Sequence, residues 1–306
     1  MDGKKTKRFQ FWRPLRIGIE LDDDLRVPLS PSDREALKLL FEQHSLLVFH
    51  NQFLTHERQI QILEILGPVL RSQPDGVGMI STEEGKGDLG SYELAFHSDL
   101  AFTPKPFRAI SLHAVDVVDG ATSTKFSSGI RACRNLPAEL RAKLSGLNLI
   151  SAMPTDNACD QVGRDIPEGM PFHSWPLLMS HPATDEMILY ASQQQAVYIE
   201  GVPRQESDRL IRELFAYLYA PDNIYEHPWM NGDMVIWDNL ALTHARGNLV
   251  GCGRRTLQRV VVAERGFYEQ CPQFDPYSPD FNKWLNAKDQ SRGTTDLSSV
   301  LNRAKH

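Results

Sequence analysis

Three observations predict a mainly β fold, a sandwich or barrel with helices packed outside it. Short strand-like runs recur along the chain, a few amphipathic helical stretches lie between them, and no strand leads into a glycine-rich G-x-G-x-x-G turn. The last point argues against a doubly wound parallel sheet, which binds phosphate at such a turn.

Taken in order, residues 15 to 49 read as strand, turn, helix and strand. Ser32, with Glu35 three places on, makes a capping box, and Leu37, Leu40 and Phe41 give the helix its apolar face. Leu46 to Phe49 is a short buried strand. Thr55 caps a second helix through Ile60, Leu63, Ile65 and Leu66, which Gly67-Pro68 stops. Residues 72 to 92, rich in glycine, serine and charge, have no period and read as a loop. The run 109-AISLHAVDV-117 is a strand, and 137-PAELRAKLSG-146 is a helix with proline in its first turn and glycine past its end. A further loop spans 153 to 173, followed by the strand 187-MILYA-191. In 207-SDRLIRELFAYLYA-220 the stripe Leu210, Ile211, Leu214, Phe215 and Leu218 is that of a helix packed on the core. An Asn231-Gly232 turn leads into the strand 234-MVIW-237, and 257-LQRVVVAE-264 is the last strand.

At 306 residues the chain can bury a substantial core, and 41% hydrophobic with 24% charged residues is ordinary for a globular protein. No apolar run approaches the ~18 residues of a spanning helix, so no membrane partner is expected. A net charge of −6 argues against a nucleic-acid partner, since phosphate neutralisation needs a basic face. The start 4-KKTKR-8 reads as a solvated tail. Cys133, Cys159, Cys252 and Cys271 form no C-x-x-C pair, which fits reduced thiols and a cytoplasmic location. The expected organisation is a basic tail over 1–14, one domain over 15–265, and a polar extension over 266–306.

The chemistry begins at 95-AFHSDLAF-102. In an extended strand, residues i and i+2 share a face, so His97 and Asp99 can converge on a metal ion. Two histidines and one carboxylate make a facial triad that holds Fe(II) and leaves the opposite positions open for substrate and O2. A second histidine is available at His244, shortly after an apolar strand in 236-IWDNLALTHARGNL-249 and ahead of 253-GRRTLQR-259. An O2-activating site of this kind needs a two-electron donor. 2-Oxoglutarate chelates the metal through its keto and adjacent carboxylate groups, and its far carboxylate calls for a fixed arginine fork.

In these motifs the sequence resembles the taurine dioxygenase (TauD/TfdA-like) family of Fe(II)- and 2-oxoglutarate-dependent dioxygenases, from about Leu15 to Glu264. The resemblance rests on 97-HSD-99, 236-IWDN-239, His244, Arg255 eleven places later (255 − 244 = 11) and Thr124 twenty-seven places after the first ligand (124 − 97 = 27). It implies a double-stranded β-helix, the cupin-like jelly roll. It also implies iron on His97, Asp99 and His244, and Arg255 with Thr124 on the far carboxylate of 2-oxoglutarate. Arg259 falls where the taurine enzyme grips the anionic end of its substrate, and family members are often dimers or tetramers. Phe96 stands where tryptophan is frequent, and Gln73 and Glu93 lie near the places of the taurine enzyme's polar residues, so a substrate other than taurine is expected. Phe96, Phe102 and Phe172 offer an apolar wall for something larger. Asp99 stands where related halogenases carry a small residue, which favours hydroxylation.

The function implied is hydroxylation of an unactivated C–H bond of a small to medium anionic organic molecule, coupled to conversion of 2-oxoglutarate to succinate. A non-catalytic metal-binding jelly roll and a zinc hydrolase are the alternatives. Neither needs an arginine and a threonine at those offsets.

Overall fold

A computed structural model of the chain describes residues 8–71, 77–83 and 92–275. Seven strands form the larger sheet, in the order Trp12–Pro14, Ile19–Leu21, Leu46–Phe49, Met234–Asp238, Ala109–Val117, Arg255–Val262 and Val77–Ser81. Four form the smaller one, in the order Ile224–Pro228, Ser123–Ser128, Leu242–Arg246 and Leu94–His97. Among the described residues, pairing within these sheets is antiparallel except where Ile19–Leu21 meets Leu46–Phe49. Strands distant in sequence lie side by side, as the jelly roll requires.

Side-chain alternation explains why two cores form on one sheet. Leu46, Val48, Val235, Trp237 and Leu257 point between the sheets, where they meet Phe126 and Leu242 of the smaller one. Their neighbours Leu47, Phe49, Met234, Ile236 and Val260 point outward onto the helices Pro31–His44 and His56–Leu63. Both faces of these strands are buried, so they read as unbroken apolar runs rather than alternating ones. The helical stripe of Leu210, Ile211, Leu214 and Leu218 on Arg204–Leu218 packs against Leu149, Ala196 and Ile199 of a separate three-stranded sheet.

Several local expectations shift. The first helix is capped by Ser30 rather than Ser32, with Asp33 closing the box: Asp33 N donates to Ser30 Oγ at 3.2 Å, and Ser30 N donates to the Asp33 carboxylate at 3.0 Å. Pro31 supplies the reason, since a proline lacks an N–H and suits the first helical position. Thr55 does cap the second helix, accepting from Arg58 N. Within the expected 72–92 loop, Val77–Ser81 is an edge strand paired with residues 256–260, while 72–76 and 84–91, with Gln73, lie outside the described residues. Likewise Phe172–Pro176, at the end of the second expected loop, is a strand.

The limits drawn at 14/15 and 265/266 fall within packed structure. Trp12–Pro14 is the edge strand of the large sheet, and Phe267, Cys271 and Phe274 pack on its inner core. Residues 1–7 and 276–306 lie outside the described residues. No helix among the described residues is long and apolar enough to cross a membrane, and all four cysteines are free.

Candidate functional site

His97 ends the strand Leu94–His97 and sits directly across from His244 in Leu242–Arg246, with ring centroids 4.2 Å apart. Asp99 reaches the same point by a different route from the expected one, because the strand stops at His97 and Asp99 lies in the turn beyond it. Side-chain amides replace the missing strand hydrogen bonds. Asp99 N donates to Asn239 Oδ1 at 2.8 Å, and Asn239 Nδ2 donates to Asp99 O at 3.0 Å and to Phe107 O at 2.9 Å. Gln195 Nε2 donates to Ser98 O at 2.8 Å. Asn239 is itself placed by Asp238, whose Oδ1 accepts from the N–H groups of Leu240 and Ala241 and whose Oδ2 accepts from His181 and Arg108. The 236-IWDN-239 run therefore fixes the turn toward His244 and holds the backbone of Asp99.

Asp99 Oδ1 lies 3.4 Å from His97 Nε2 and 3.7 Å from His244 Nε2, and the three donor atoms all lie within 4.8 Å of one another. Metal bonds of about 2.1 Å at right angles would set neighbouring donors about 3 Å apart, so a small closure suffices. Hydrogen bonding and burial also prepare these donors for a cation. His97 Nδ1 lies 2.9 Å from Ala95 O, which can only accept, so Nδ1 donates there and Nε2 is the nitrogen turned to the centre. Burial, aided by the neighbouring His97, pushes His244 down to about 3, so its imidazole is neutral. Burial opposes ionisation of Asp99, but the charge of Arg259 leads the neighbours that outweigh it and hold the carboxyl well below the usual range. Arg259 Nη2 donates to Asp99 Oδ2 at 2.6 Å, which turns Oδ1 toward the histidines. Among the described residues this is the one such group of three ligand side chains.

Phe126 pairs with His244, so Thr124 and Arg246, each two residues away on its own strand, share the interior face. Arg255, on the inner face of Arg255–Val262, is 2% exposed, and its Nε and Nη1 have no hydrogen-bond partner among the described residues. Burial first, then nearby Arg246, lowers it to about 9. A buried guanidinium with unmet donors calls for an anion. Thr124 is buried, and its Oγ1 accepts from Trp229 Nε1 at 3.0 Å.

The residues expected to meet substrate divide between the centre and places outside it. Arg259 stands over the ring of Phe107 at 5.3 Å, beside the centre. Phe96 stacks on Tyr219 at 4.4 Å and, next to His97 on the strand, faces the other way. Phe102 is buried edge-on against Phe267. Glu93 and Phe172 are exposed. Arg254 points outward to Asp116, so of this adjacent pair only Arg255 is on the inner face. Sequence reasoning missed the amide clamps and Trp229. Asn239 had a signal in its motif, whereas Gln195 sits in a plain glutamine run with none.

A family model described as "Taurine catabolism dioxygenase TauD, TfdA family" matches residues 7–261. The alpha-ketoglutarate-dependent 2,4-dichlorophenoxyacetate dioxygenase of Cupriavidus pinatubonensis is 26% identical over 274 residues, covering 81% of this chain and 94% of that one. The (S)-phenoxypropionate/alpha-ketoglutarate-dioxygenase of Sphingobium herbicidovorans is 26% identical, covering 68% and 78%. Among solved structures, a taurine dioxygenase from Burkholderia xenovorans superposes with a TM-score of 0.70 at 25% identity, covering 85% of this chain and 93% of that chain. AAD-2 in complex with Mn(II) and N-oxalylglycine gives 0.72 at 22%, covering 84% and 98%, a likeness of fold.

Proposed function

The chain belongs to the taurine catabolism dioxygenase TauD, TfdA family, and from that membership we propose how its residues divide the work of a 2-oxoglutarate-dependent dioxygenase. When bound, Fe(II) and 2-oxoglutarate supply an O2-dependent oxidation that turns the cosubstrate into succinate and CO2 and puts one oxygen atom into a C–H bond of a small-molecule substrate.

His97, His244 and Asp99 hold the metal, through Nε2, Nε2 and Oδ1. Asp99 and His244 are held deprotonated, so neither has a proton to lose as the ion enters. Arg259 keeps Asp99 to one ligating oxygen. Arg255 and Thr124 receive the far carboxylate, which leaves the inner end of the cosubstrate directed at the metal. The observation that carries this reading is the buried Arg255 fork with unmet donors on the same interior face that holds the triad. Neither a non-catalytic metal-binding jelly roll nor a zinc hydrolase needs it.

We place the substrate among small to medium organic anions. Arg259 is a cation beside the centre, and two similar enzymes are named for the carboxylates 2,4-dichlorophenoxyacetate and phenoxypropionate. Phe96 and Phe102 support the strand and turn from behind in this reading. The working unit is residues 15–265 together with the flanking residues that pack on it, and the four unpaired cysteines favour the cytoplasm.

The test is an anaerobic titration of the apo protein with Fe(II) and 2-oxoglutarate, read by the visible charge-transfer band of the chelate. The band is expected in the wild type and absent from Arg255→Ala at limiting 2-oxoglutarate. Metal binding without a band at saturating 2-oxoglutarate overturns the reading. His97→Ala or Asp99→Ala is expected to abolish substrate-dependent succinate formation.

A further inference from the structure

Trp229 is fully buried, at 0% exposure, and its indole N–H must find an acceptor. It finds Thr124 Oγ1 at 3.0 Å. The ring cannot follow that oxygen if it moves. Trp229 N donates to Thr122 O at 2.9 Å, and the ring of His227 packs edge-on against the indole at 4.7 Å and 85°. Trp229 also belongs to the core between the two sheets.

An indole N–H only donates, whereas a threonine hydroxyl holds one proton and two lone pairs. With one lone pair taken by Trp229, the hydroxyl proton remains for another acceptor. The β-branched side chain has few χ1 options, which fixes the oxygen, and the lone pair taken by Trp229 narrows the directions left to the proton about the Cβ–Oγ1 bond.

We propose that Trp229 is a positioning residue for the cosubstrate: its indole N–H pins the Thr124 hydroxyl so that its proton is offered to the far carboxylate of 2-oxoglutarate. This rests on the reading that Thr124 and Arg255 receive that carboxylate. A hydroxyl aimed before binding loses less freedom on binding, and its donor bond to a charged acceptor is correspondingly tighter.

The experiment measures N-oxalylglycine affinity by calorimetry on the full chain loaded with Mn(II), in the wild type, Thr124→Val, Trp229→Phe and the double variant. Thr124→Val is expected to weaken binding about tenfold or more, and Trp229→Phe about three- to tenfold. Because Trp229 acts through Thr124, the double variant should bind no more weakly than Thr124→Val alone, with Mn(II) affinity unchanged throughout. Losses that multiply in the double variant mean a merely structural role and overturn the proposal. Wild-type affinity in Trp229→Phe, with Thr124→Val weakened, overturns it while leaving the cosubstrate reading intact. Unchanged affinity in Thr124→Val removes the threonine from that reading and the proposal with it, and Arg255→Ala then tests the arginine alone.

A second measurement leaves the indole in place in case Trp229→Phe fails to fold. In the Zn(II)-loaded protein, the Trp229 indole 15N–1H resonance is expected to shift when N-oxalylglycine is added, and to stay put in Thr124→Val. A resonance indifferent to N-oxalylglycine in the wild type overturns the proposal.

Discussion

Asp99 divides its two oxygens between a cation of the protein, Arg259, and the space between two histidines. That division depends on a backbone clamp, since Asp99 lies beyond the end of its strand and Asn239 makes three hydrogen bonds to hold it and Phe107. Asn239→Ala is therefore expected to weaken Mn(II) binding about 10- to 100-fold, as loss of a partner behind a metal ligand generally does. Competition with a chelator measures it, and an unchanged Kd would show that the turn holds itself. The two histidines and the aspartate were legible because a metal narrows the choice of residue type and the short H-x-D spacing is local. Gln195 was not, because the backbone it clamps, at Ser98, is 97 residues away (195 − 98 = 97), and an amide carries no mark of a remote partner.

At the scale of elements, the turn between Trp12–Pro14 and Ile19–Leu21 shows how one residue can fix a strand. Gly18 has φ +78°, and a Cβ there would collide with the carbonyl oxygen and Cβ of Leu46 on the neighbouring strand. Gly18→Ala carries both strain and a backbone clash, with a loss of about 3 kcal/mol or more expected in urea denaturation. Thr55→Ala, which removes a helix cap on the other side of that sheet, should cost only about 1 kcal/mol. Elements were readable where composition and packing agree, as in Leu46–Phe49, whose residues are apolar and buried on both faces. The edge strand Val77–Ser81 was not, because Gly78 and a glycine-rich neighbourhood weaken its β propensity, and pairing with residues 256–260 makes it a strand. The first helix was misplaced by two residues because serines at 30 and 32 both suit a cap, and only Pro31 between them decides.

Across the whole molecule, acid should act through a histidine that takes no part in the centre. His113 is 2% exposed in the large sheet, and Leu54 N donates to its Nε2 at 3.3 Å, a bond that protonation would break. Burial pushes it down to about 4, against the opposing pull of Asp233 and Gln258. The unfolded chain then binds the proton more readily, so this contribution is intact above about pH 6.5 and is lost as pH falls toward about 4. Between pH 7 and 5 the loss is about 2 kcal/mol. His113→Gln, which keeps an acceptor for Leu54, should lose less stability by that amount, and an equal loss in both proteins would assign the acid sensitivity elsewhere. The pairing of His97 with His244 also has a consequence in time. The two residues are 147 positions apart (244 − 97 = 147) yet meet across adjacent strands. At about 5–20 residues per second, a ribosome that has made His97 takes roughly 7 to 30 s to reach His244. Until then the nascent chain holds only the His97 and Asp99 part of this cluster, and long-range strand pairing is slow in its own right. A site that needs both histidines is therefore incomplete until these strands pair, so a metal held by all three side chains would mark the end of folding rather than its start.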